Sequence, residues 1–426
     1  MIRKVKGTRD ILPPESRLWQ AVEAEAVRTF GAFGYDEIRL PLLEPTELFV
    51  RGVGEGTDIV GKEMYTFTDR KGRSLTLRPE GTAGVARAYI ENGLGQRPHP
   101  LRLFYAGPMF RYEKMQRGRY RQFSQIGIEL LGAATPEADV EVLLALHTYL
   151  GRLGFDDLVI LLNDLGDPED RAPYVARLKE ELGPHREALC ADCRRRWDEN
   201  PLRILDCKVE RCREIVSGTT PIAETVSAEA RAHVDRVREL LETLGVAVRP
   251  APRLVRGLDY YMRTVFEVVS PALGEHAVIC GGGRYDRLIA DLGGPAVPGV
   301  GFAIGEDRLV DVLPEAYCRR VLEVPFVAVV PVGAAAAAAQ ALAQRLREAG
   351  VRTEVEVSGR SLRAGLKWAA KTGARVAVIV GEDEAARGEA VVRDMAAGEQ
   401  RTVTVDALVE AVEPLLEADG GADDGH

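Results

Sequence analysis

Apolar residues recur at helical spacing over residues 16–33 (Leu18, Trp19, Val22, Ala26, Val27, Phe30), and the pattern stops at Gly31 and Gly34, which predicts an amphipathic helix. Short extended pieces follow, among them Ser74-Leu75-Thr76-Leu77. A second helix is expected from Pro79, since proline is allowed in a first turn, to Asn92-Gly93. Residues 102–110 and 121–131 read as two strands joined by a polar, basic loop, a hairpin with a long connection. Residues 136–153 make a strong amphipathic helix.

The pattern changes after Asn163-Asp164-Leu165-Gly166-Asp167-Pro168, and to about 248 the chain is charged, helical and cysteine-bearing. Strand signals return at 252–255, 263–269 and 276–281, followed by a glycine-rich turn, Gly281-Gly282-Gly283. Residues 299–305 read as a strand, with a helix beginning near Gly305. From Val324-Pro325 onward, strands at 326–330, 353–357, 375–380, 389–393 and 401–404 mingle with helices at 335–349, 361–372 and 406–416. That alternation predicts a compact α/β domain. The six-alanine run at 334–339 reflects helix propensity. The expected organisation is one antiparallel or mixed sheet domain in two parts, 1–166 and 249–320, interrupted by a mainly helical insertion, 167–248. An α/β domain, 325–417, and a disordered tail, 418–426, follow. The fold class is α+β.

With 426 residues the chain exceeds one ordinary core. Its 46% hydrophobic and 28% charged residues describe a globular protein. No apolar run approaches the roughly 20 residues of a membrane span. The opening Met1-Ile2-Arg3-Lys4 leads into polar sequence without an apolar signal core, so no membrane association and a cytoplasmic location are expected. The net charge of −9 speaks against general nucleic-acid binding but leaves room for local basic surfaces, because screening confines a charge to about 10 Å. Two stretches qualify. Residues 111–121 carry Arg111, Lys114, Arg117, Arg119 and Arg121 against Glu113, and residues 360–375 carry Arg360, Arg363, Lys367, Lys371 and Arg375 with no acid. Either could equally be a solvated face.

Chemistry concentrates at a few places. Arg111 ends one strand of the hairpin, where its planar fork suits a phosphate. On the second strand Gln125 and Glu129 share a face and alternate with Ile126 and Ile128, as a site floor would; an ordinary sheet with one wet face is the plain alternative. In Leu77-Arg78-Pro79-Glu80-Gly81-Thr82 an acid and a hydroxyl stand where a strand becomes a helix. Glu80 could receive an ammonium or simply complement the helix dipole. Arg256-Gly257-Leu258-Asp259-Tyr260-Tyr261 offers a cation and two phenols between strands. Glycine alternates on a strand in Gly299-Val300-Gly301-Phe302-Ala303-Ile304-Gly305, which would let a flat ligand approach the backbone, and Arg308 follows at the helix start. The spacing is not a dinucleotide-binding fingerprint, and a Walker-type phosphate loop is absent.

In this order the signals resemble the class II aminoacyl-tRNA synthetases. Gly34 followed by Pro41 is similar to their motif 1, a dimerisation element. Phe110-Arg111-Tyr112-Glu113 with the basic loop and Phe123 is similar to motif 2, and 299–308 to motif 3, with Asp307 where the family usually has glutamate. Residues 256–261 and Gly282-Gly283-Arg284-Tyr285-Asp286 resemble the two motifs of the histidine-specific branch, and Lys6-Gly7-Thr8-Arg9-Asp10 matches as well. The resemblance implies an antiparallel-sheet catalytic domain with a helical insertion, an anticodon-binding C-terminal domain and a homodimer. It implies activation of L-histidine with ATP and Mg²⁺, then transfer to the 3′ end of tRNA(His). It further implies that Glu80, Gly81, Thr82 and Gln125 surround the α-ammonium, that Glu129 and Tyr261 pair the imidazole, and that Tyr260 and Tyr285 lie beside it. Arg111 and Arg256 would be the catalytic cations, with Arg111, Glu113, Arg119 and Arg308 on ATP. Gln116 would approach the acceptor end of the tRNA, and Arg363, Lys367 and Lys371 its anticodon end.

Cys190-x2-Cys193 and Cys207-x4-Cys212 lie in the insertion; with Cys280 and Cys318 they are too few for a disulfide scaffold. The expectation is reduced structural cysteines and no metal, with a structural zinc on four thiolates as the alternative. The closest functional alternative is a non-catalytic regulatory subunit of ATP phosphoribosyltransferase, which resembles the catalytic domain but lacks the C-terminal domain.

Overall fold

A computed structural model describes residues 2–114, 118–274 and 278–417. The chain forms two compact units, Met1–Leu322 and Glu323–His426. Strands of the first unit are, in chain order, β1 (Asp36–Glu37), β2 (Leu43–Pro45), β3 (Tyr65–Thr68), β4 (Ser74–Leu77), β5 (Leu101–Phe110), β6 (Gln122–Leu131), β7 (Val159–Asp164), β8 (Val248–Pro250), β9 (Met262–Val269), β10 (Val278–Arg284) and β11 (Gly299–Gly305). Eight of them make one sheet in the order β1-β5-β6-β11-β10-β9-β7-β8. Its six central strands run antiparallel, and only the short edges β1 and β8 pair in parallel.

The period-two pattern gives the sheet two different faces. Ile126, Ile128 and Leu130 of β6, Phe266 and Val268 of β9, and Val300, Phe302 and Ile304 of β11 point into the larger core. There they meet Val22, Ala26 and Phe30 of the helix Glu15–Ala32 and Val142, Leu146 and Tyr149 of the helix Pro136–Arg152. The opposite face carries Tyr105, Gln125 and Glu129 among small residues. It is covered by a second core to which the segment after Asp167 contributes Leu178, Leu182, Ile204 and Val216. β2, β4 and β3 form a separate three-stranded sheet.

Several expected elements shift. The helix expected from Pro79 begins at Thr82, because both carboxylate oxygens of Glu80 accept backbone N–H groups there, from Thr82 at 2.7 Å and Ala83 at 2.8 Å. Residues 252–255 are a turn, tied by Arg253 to the Val216 carbonyl at 3.2 Å; the strand in that region is β8. Gly281-Gly282-Gly283 lies inside β10 rather than in a turn. β7 and the helix Glu315–Leu322 were not anticipated. Gln116, residues 276–277 and the tail from 418 lie outside the described residues.

The second unit is a five-stranded sheet of β12 (Val327–Pro331), β13 (Thr353–Val355), β14 (Val376–Val380), β15 (Glu389–Asp394) and β16 (Gln400–Thr404), ordered β13-β12-β14-β15-β16. Helices Ala336–Glu348 and Leu408–Glu417 pack on one face through Ala339, Leu342, Leu408 and Val412. Ala369 of the helix Leu362–Thr372 packs on the other, against Phe326 and Ala328. Arg360 and Arg375, the ends of the basic stretch, are held by Glu356 and Asp394, whereas Arg363, Lys367 and Lys371 stand exposed at four-residue intervals on this helix.

Arg284, at the end of β10, is fully buried and ties the sheet to the helix Pro136–Arg152. It pairs with Asp139 at 3.1 Å and Asp286 at 2.9 Å, and donates to the carbonyls of Ala133 at 3.0 Å and Thr135 at 3.2 Å. His233 closes the group against Asp139. Removing one partner of a buried pair leaves the other charge uncompensated. Arg284→Ala is therefore expected to destabilise the chain by about 3–5 kcal/mol in urea unfolding. A loss below about 1 kcal/mol would rank the group with exposed pairs.

Candidate active site

On the second face of the large sheet, a pocket of about 170 Å³ is lined by Ile59, Glu80, Thr82, Arg111, Gln125, Arg256, Gly257, Leu258, Tyr260, Tyr261, Gly281 and Ala303. Strand parity supplies its floor: Gln125 comes from β6 and Ala303 from β11. Arg111 follows β5 directly, and the 256–261 segment enters β9.

Of the alternating glycines of β11, Gly299 and Gly301 make room for the protein's own side chains, whereas a Cβ on Gly305 would meet nothing within 4 Å. A Cβ on Gly301 would lie 2.0 Å from Oε2 of Glu129, and one on Gly299 would lie 2.4 Å from the ring of Tyr285. A Cβ on Gly281 would meet the Arg256 guanidinium at 2.4 Å.

Glu129 is 1% exposed and does not line the pocket; it lies behind Thr82, whose hydroxyl donates to it at 2.7 Å, and Tyr285 donates to its other oxygen. Burial pushes its carboxyl up to about 8, against the lowering effect of the two hydroxyl donors. Burial also raises Glu80, although backbone donors oppose it. The phenols pack together, with ring centroids of Tyr260 and Tyr261 4.6 Å apart and those of Tyr260 and Tyr285 5.6 Å apart. Among the described residues, Oε1 of Gln125, the hydroxyls of Tyr260 and Tyr105 and Nε of Arg256 are buried on this face without a partner. Such atoms are few in folded proteins, and here they face the pocket or pack beside it.

The cations form a second group. Arg111 donates to the Pro79 carbonyl at 2.8 Å and lies 5.3 Å from the Phe123 ring centroid. Glu113 bridges Arg111 at 3.7 Å and Arg119 at 3.3 Å. Arg256 pairs with Glu267 on β9. Arg308 makes no ion pair among the described residues; burial and the neighbouring Arg119 hold its pKa below the usual guanidinium value, as in a site that awaits an anion. Asp307 accepts the Arg9 guanidinium at 3.1 Å and the backbone N–H of Ser124 at 2.9 Å.

A family model for histidyl-tRNA synthetase matches residues 7–169 and 201–309, and one for the anticodon binding domain matches 326–415. The histidine–tRNA ligase of Desulforudis audaxviator (strain MP104C) is 50% identical over 412 residues, 96% of this chain and 98% of that protein. The chain belongs to the histidyl-tRNA synthetase family. The apo histidyl-tRNA synthetase of S. aureus superposes with a TM-score of 0.79 at 34% identity, covering 96% of this chain and 99% of that one. A Bacillus halodurans protein described as an ATP phosphoribosyltransferase regulatory subunit/histidyl-tRNA synthetase matches with a TM-score of 0.65 at 25% identity, over 89% of this chain and 98% of that one.

Of the pocket lining, sequence reasoning missed Ile59, which no periodicity flags; it also missed Tyr105 behind that lining, whose ring fills the space that a Cβ on Gly81 would occupy at 2.4 Å. Gly81 is thus a glycine because of Tyr105. The nearest atoms to a Cβ on Gly281 all belong to the flexible end of Arg256. Gly281→Ala should therefore leave the melting temperature nearly unchanged while displacing Arg256. We expect amino-acid activation to slow by about 100-fold in pyrophosphate exchange. Unchanged turnover would show that the Arg256 position does not matter.

Proposed function

We propose that this pocket activates histidine, with its residues in the following roles. As a member of its family the chain is an ATP-dependent histidine–tRNA ligase, which forms histidyl-adenylate and pyrophosphate and then esterifies tRNA. The observation that carries the assignment is the buried Thr82–Glu129–Tyr285 chain beside unpartnered Gln125 and Tyr260. Imidazole needs one partner on each nitrogen, and an analogue without a ring N–H would leave a buried polar group unpaired. The incoming ring takes the place of the Thr82 hydroxyl on Glu129, which then pairs one nitrogen while Tyr261 pairs the other, with Tyr260 and Tyr285 beside the ring. Glu80, Thr82 and Gln125 hold the α-ammonium.

A histidine carboxylate oxygen attacks the α-phosphorus in line, and pyrophosphate leaves with the electron pair of the broken P–O bond. Negative charge grows on the non-bridging oxygens. Arg111 and Arg256 stabilise that charge in a pocket with little water. Glu113, Arg119 and Arg308 hold the adenine and outer phosphates. The ATP complex would bring its own Mg²⁺, an ion that neutralises phosphate charge; the acids beside these arginines, Glu113 and Glu267, are ion-paired with Arg111, Arg119 and Arg256 in the ligand-free pocket. In the transfer step a terminal ribose hydroxyl attacks the adenylate carbonyl and AMP leaves. No histidine side chain lines the pocket among the described residues, and a reactant oxygen accepts the hydroxyl proton. Exposed Leu42, Leu43 and Phe67 on and beside the three-stranded sheet supply apolar surface for a homodimer. The regulatory-subunit reading is set aside, since the chain keeps both the anticodon binding domain and the full set of arginines.

In the ligand-free pocket Glu129 is protonated below about pH 8. An incoming imidazole, protonating near 6.5 in water, then shares one proton with it. Glu129→Gln should raise the histidine KM by about 100-fold, far more than the ATP KM. Equal effects on both substrates would contradict the role.

Arg363, Lys367 and Lys371 form a phosphate-tracking face for the tRNA in the second unit. Lys367→Glu with Lys371→Glu should weaken tRNA charging by about tenfold or more at low salt while sparing adenylate formation. Unchanged charging would place the tRNA contact elsewhere.

A further inference from the structure

Two close pairs of cysteines, Cys190 with Cys193 and Cys207 with Cys212, converge outside the pocket. Cys190 caps the helix Ala191–Glu199, Cys193 lies in its first turn, Cys207 follows the turn Pro201–Ile204, and Cys212 sits in the helix Glu210–Ser217. Their four sulfur atoms all lie within 4.8 Å of one another, and those of Cys190 and Cys207 are 3.8 Å apart. Cys193, Cys207 and Cys212 are buried, and none of the four forms a disulfide. A tetrahedral zinc ion with Zn–S bonds of about 2.3 Å sets its sulfur atoms about 3.8 Å apart. The spacing therefore matches one ion; an iron–sulfur cluster would hold the sulfurs further from one another. The backbone N–H of Cys190 donates to Sγ of Cys212 at 3.2 Å.

We propose that Cys190, Cys193, Cys207 and Cys212 bind one structural Zn²⁺, and that the ion braces a wall of the histidine pocket. The structure favours this alternative over the metal-free reading of the sequence. The helices concerned are only nine and eight residues long, too short to be stable alone. Yet they position groups that reach the pocket wall. Arg195 and Arg196 each contact Asp58 at 3.2 Å, next to Ile59. Asn200 donates to Asp259 at 2.7 Å, and Arg203 packs so close to Gly257 that a Cβ there would meet its guanidinium at 2.9 Å. Ile59, Gly257 and Leu258 all line the pocket. A metal cross-link between Cys190–Cys193 and Cys207–Cys212 fixes the turn from which Asn200 and Arg203 project.

The test uses the full chain, purified without chelator. Elemental analysis should find one zinc per chain in the wild type and well under half in Cys193→Ser and Cys212→Ser. Replacement by Co²⁺ should produce the visible bands of a tetrahedral tetrathiolate. This readout is independent of what the pocket binds. Stripping the metal with a thiol-specific mercurial and EDTA, then removing the mercurial with excess dithiothreitol, should lower the melting temperature and raise the histidine KM at least tenfold. Adding Zn²⁺ back should restore both. A wild-type chain without metal that takes up neither Zn²⁺ nor Co²⁺ overturns the site. Stoichiometric zinc whose removal leaves the histidine KM unchanged overturns the bracing role. That role rests on the pocket assignment above, whereas the metal count does not.

Discussion

One face of the large sheet is where this protein buries polar side chains, and it can do so because glycines on that face leave them room. Glu129 lies over Gly301, Tyr285 over Gly299 and Arg256 over Gly281, each at a distance no Cβ would permit. A carboxyl, a phenol and a guanidinium are thereby accommodated over the strands β10 and β11. Burial of such groups is costly unless each is hydrogen-bonded. Thr82 and Tyr285 satisfy Glu129, and Glu267 balances Arg256. The atoms left over on Gln125, Tyr260 and Arg256 are those an amino acid and a phosphate would satisfy.

The rest of the first unit serves that face. Two long helices bury the other side of the sheet, and Arg284 with Asp139 locks one of them to the strand that carries Gly281 and Gly283. Arg284 therefore belongs to the frame, although it sits inside a motif whose next residue, Tyr285, contacts Glu129. The segment after Asp167 seals the pocket side, and Arg263 grips it at both ends, pairing Asp167 at 2.7 Å and Glu229 at 2.9 Å. Binding geometry so constructed needs little rearrangement on substrate arrival, which is how positioning contributes to rate.

Much of this was legible in the sequence. Period-two alternation in 122–131 and 299–305 and helical spacing in 16–33 and 136–153 carry their elements, because in each one face is buried against a large core. Paired motifs announced the pocket, since Glu80, Thr82, Arg111, Gln125, Arg256, Tyr260 and Tyr261 all line it. What stayed hidden depends on contacts far apart in sequence. Glu80 delays a helix by capping it from one residue outside. Gly281-Gly282-Gly283 looks like a turn until Arg256 and Tyr261 are seen to occupy its missing side chains. Ile59 belongs to a short turn without periodicity, and Asp307 pairs with Arg9, more than 290 positions away in the chain. The cysteine spacing alone left zinc open, and only the fold brings the two pairs together.

The central claim is that the pocket selects histidine for reaction with ATP, and the most direct measurement is pyrophosphate exchange into ATP with each of the twenty amino acids and no tRNA. Exchange with histidine alone is the predicted result, establishing adenylate chemistry and specificity in one assay. Absence of exchange with every amino acid, from folded protein, would contradict the account and return the chain to a regulatory role.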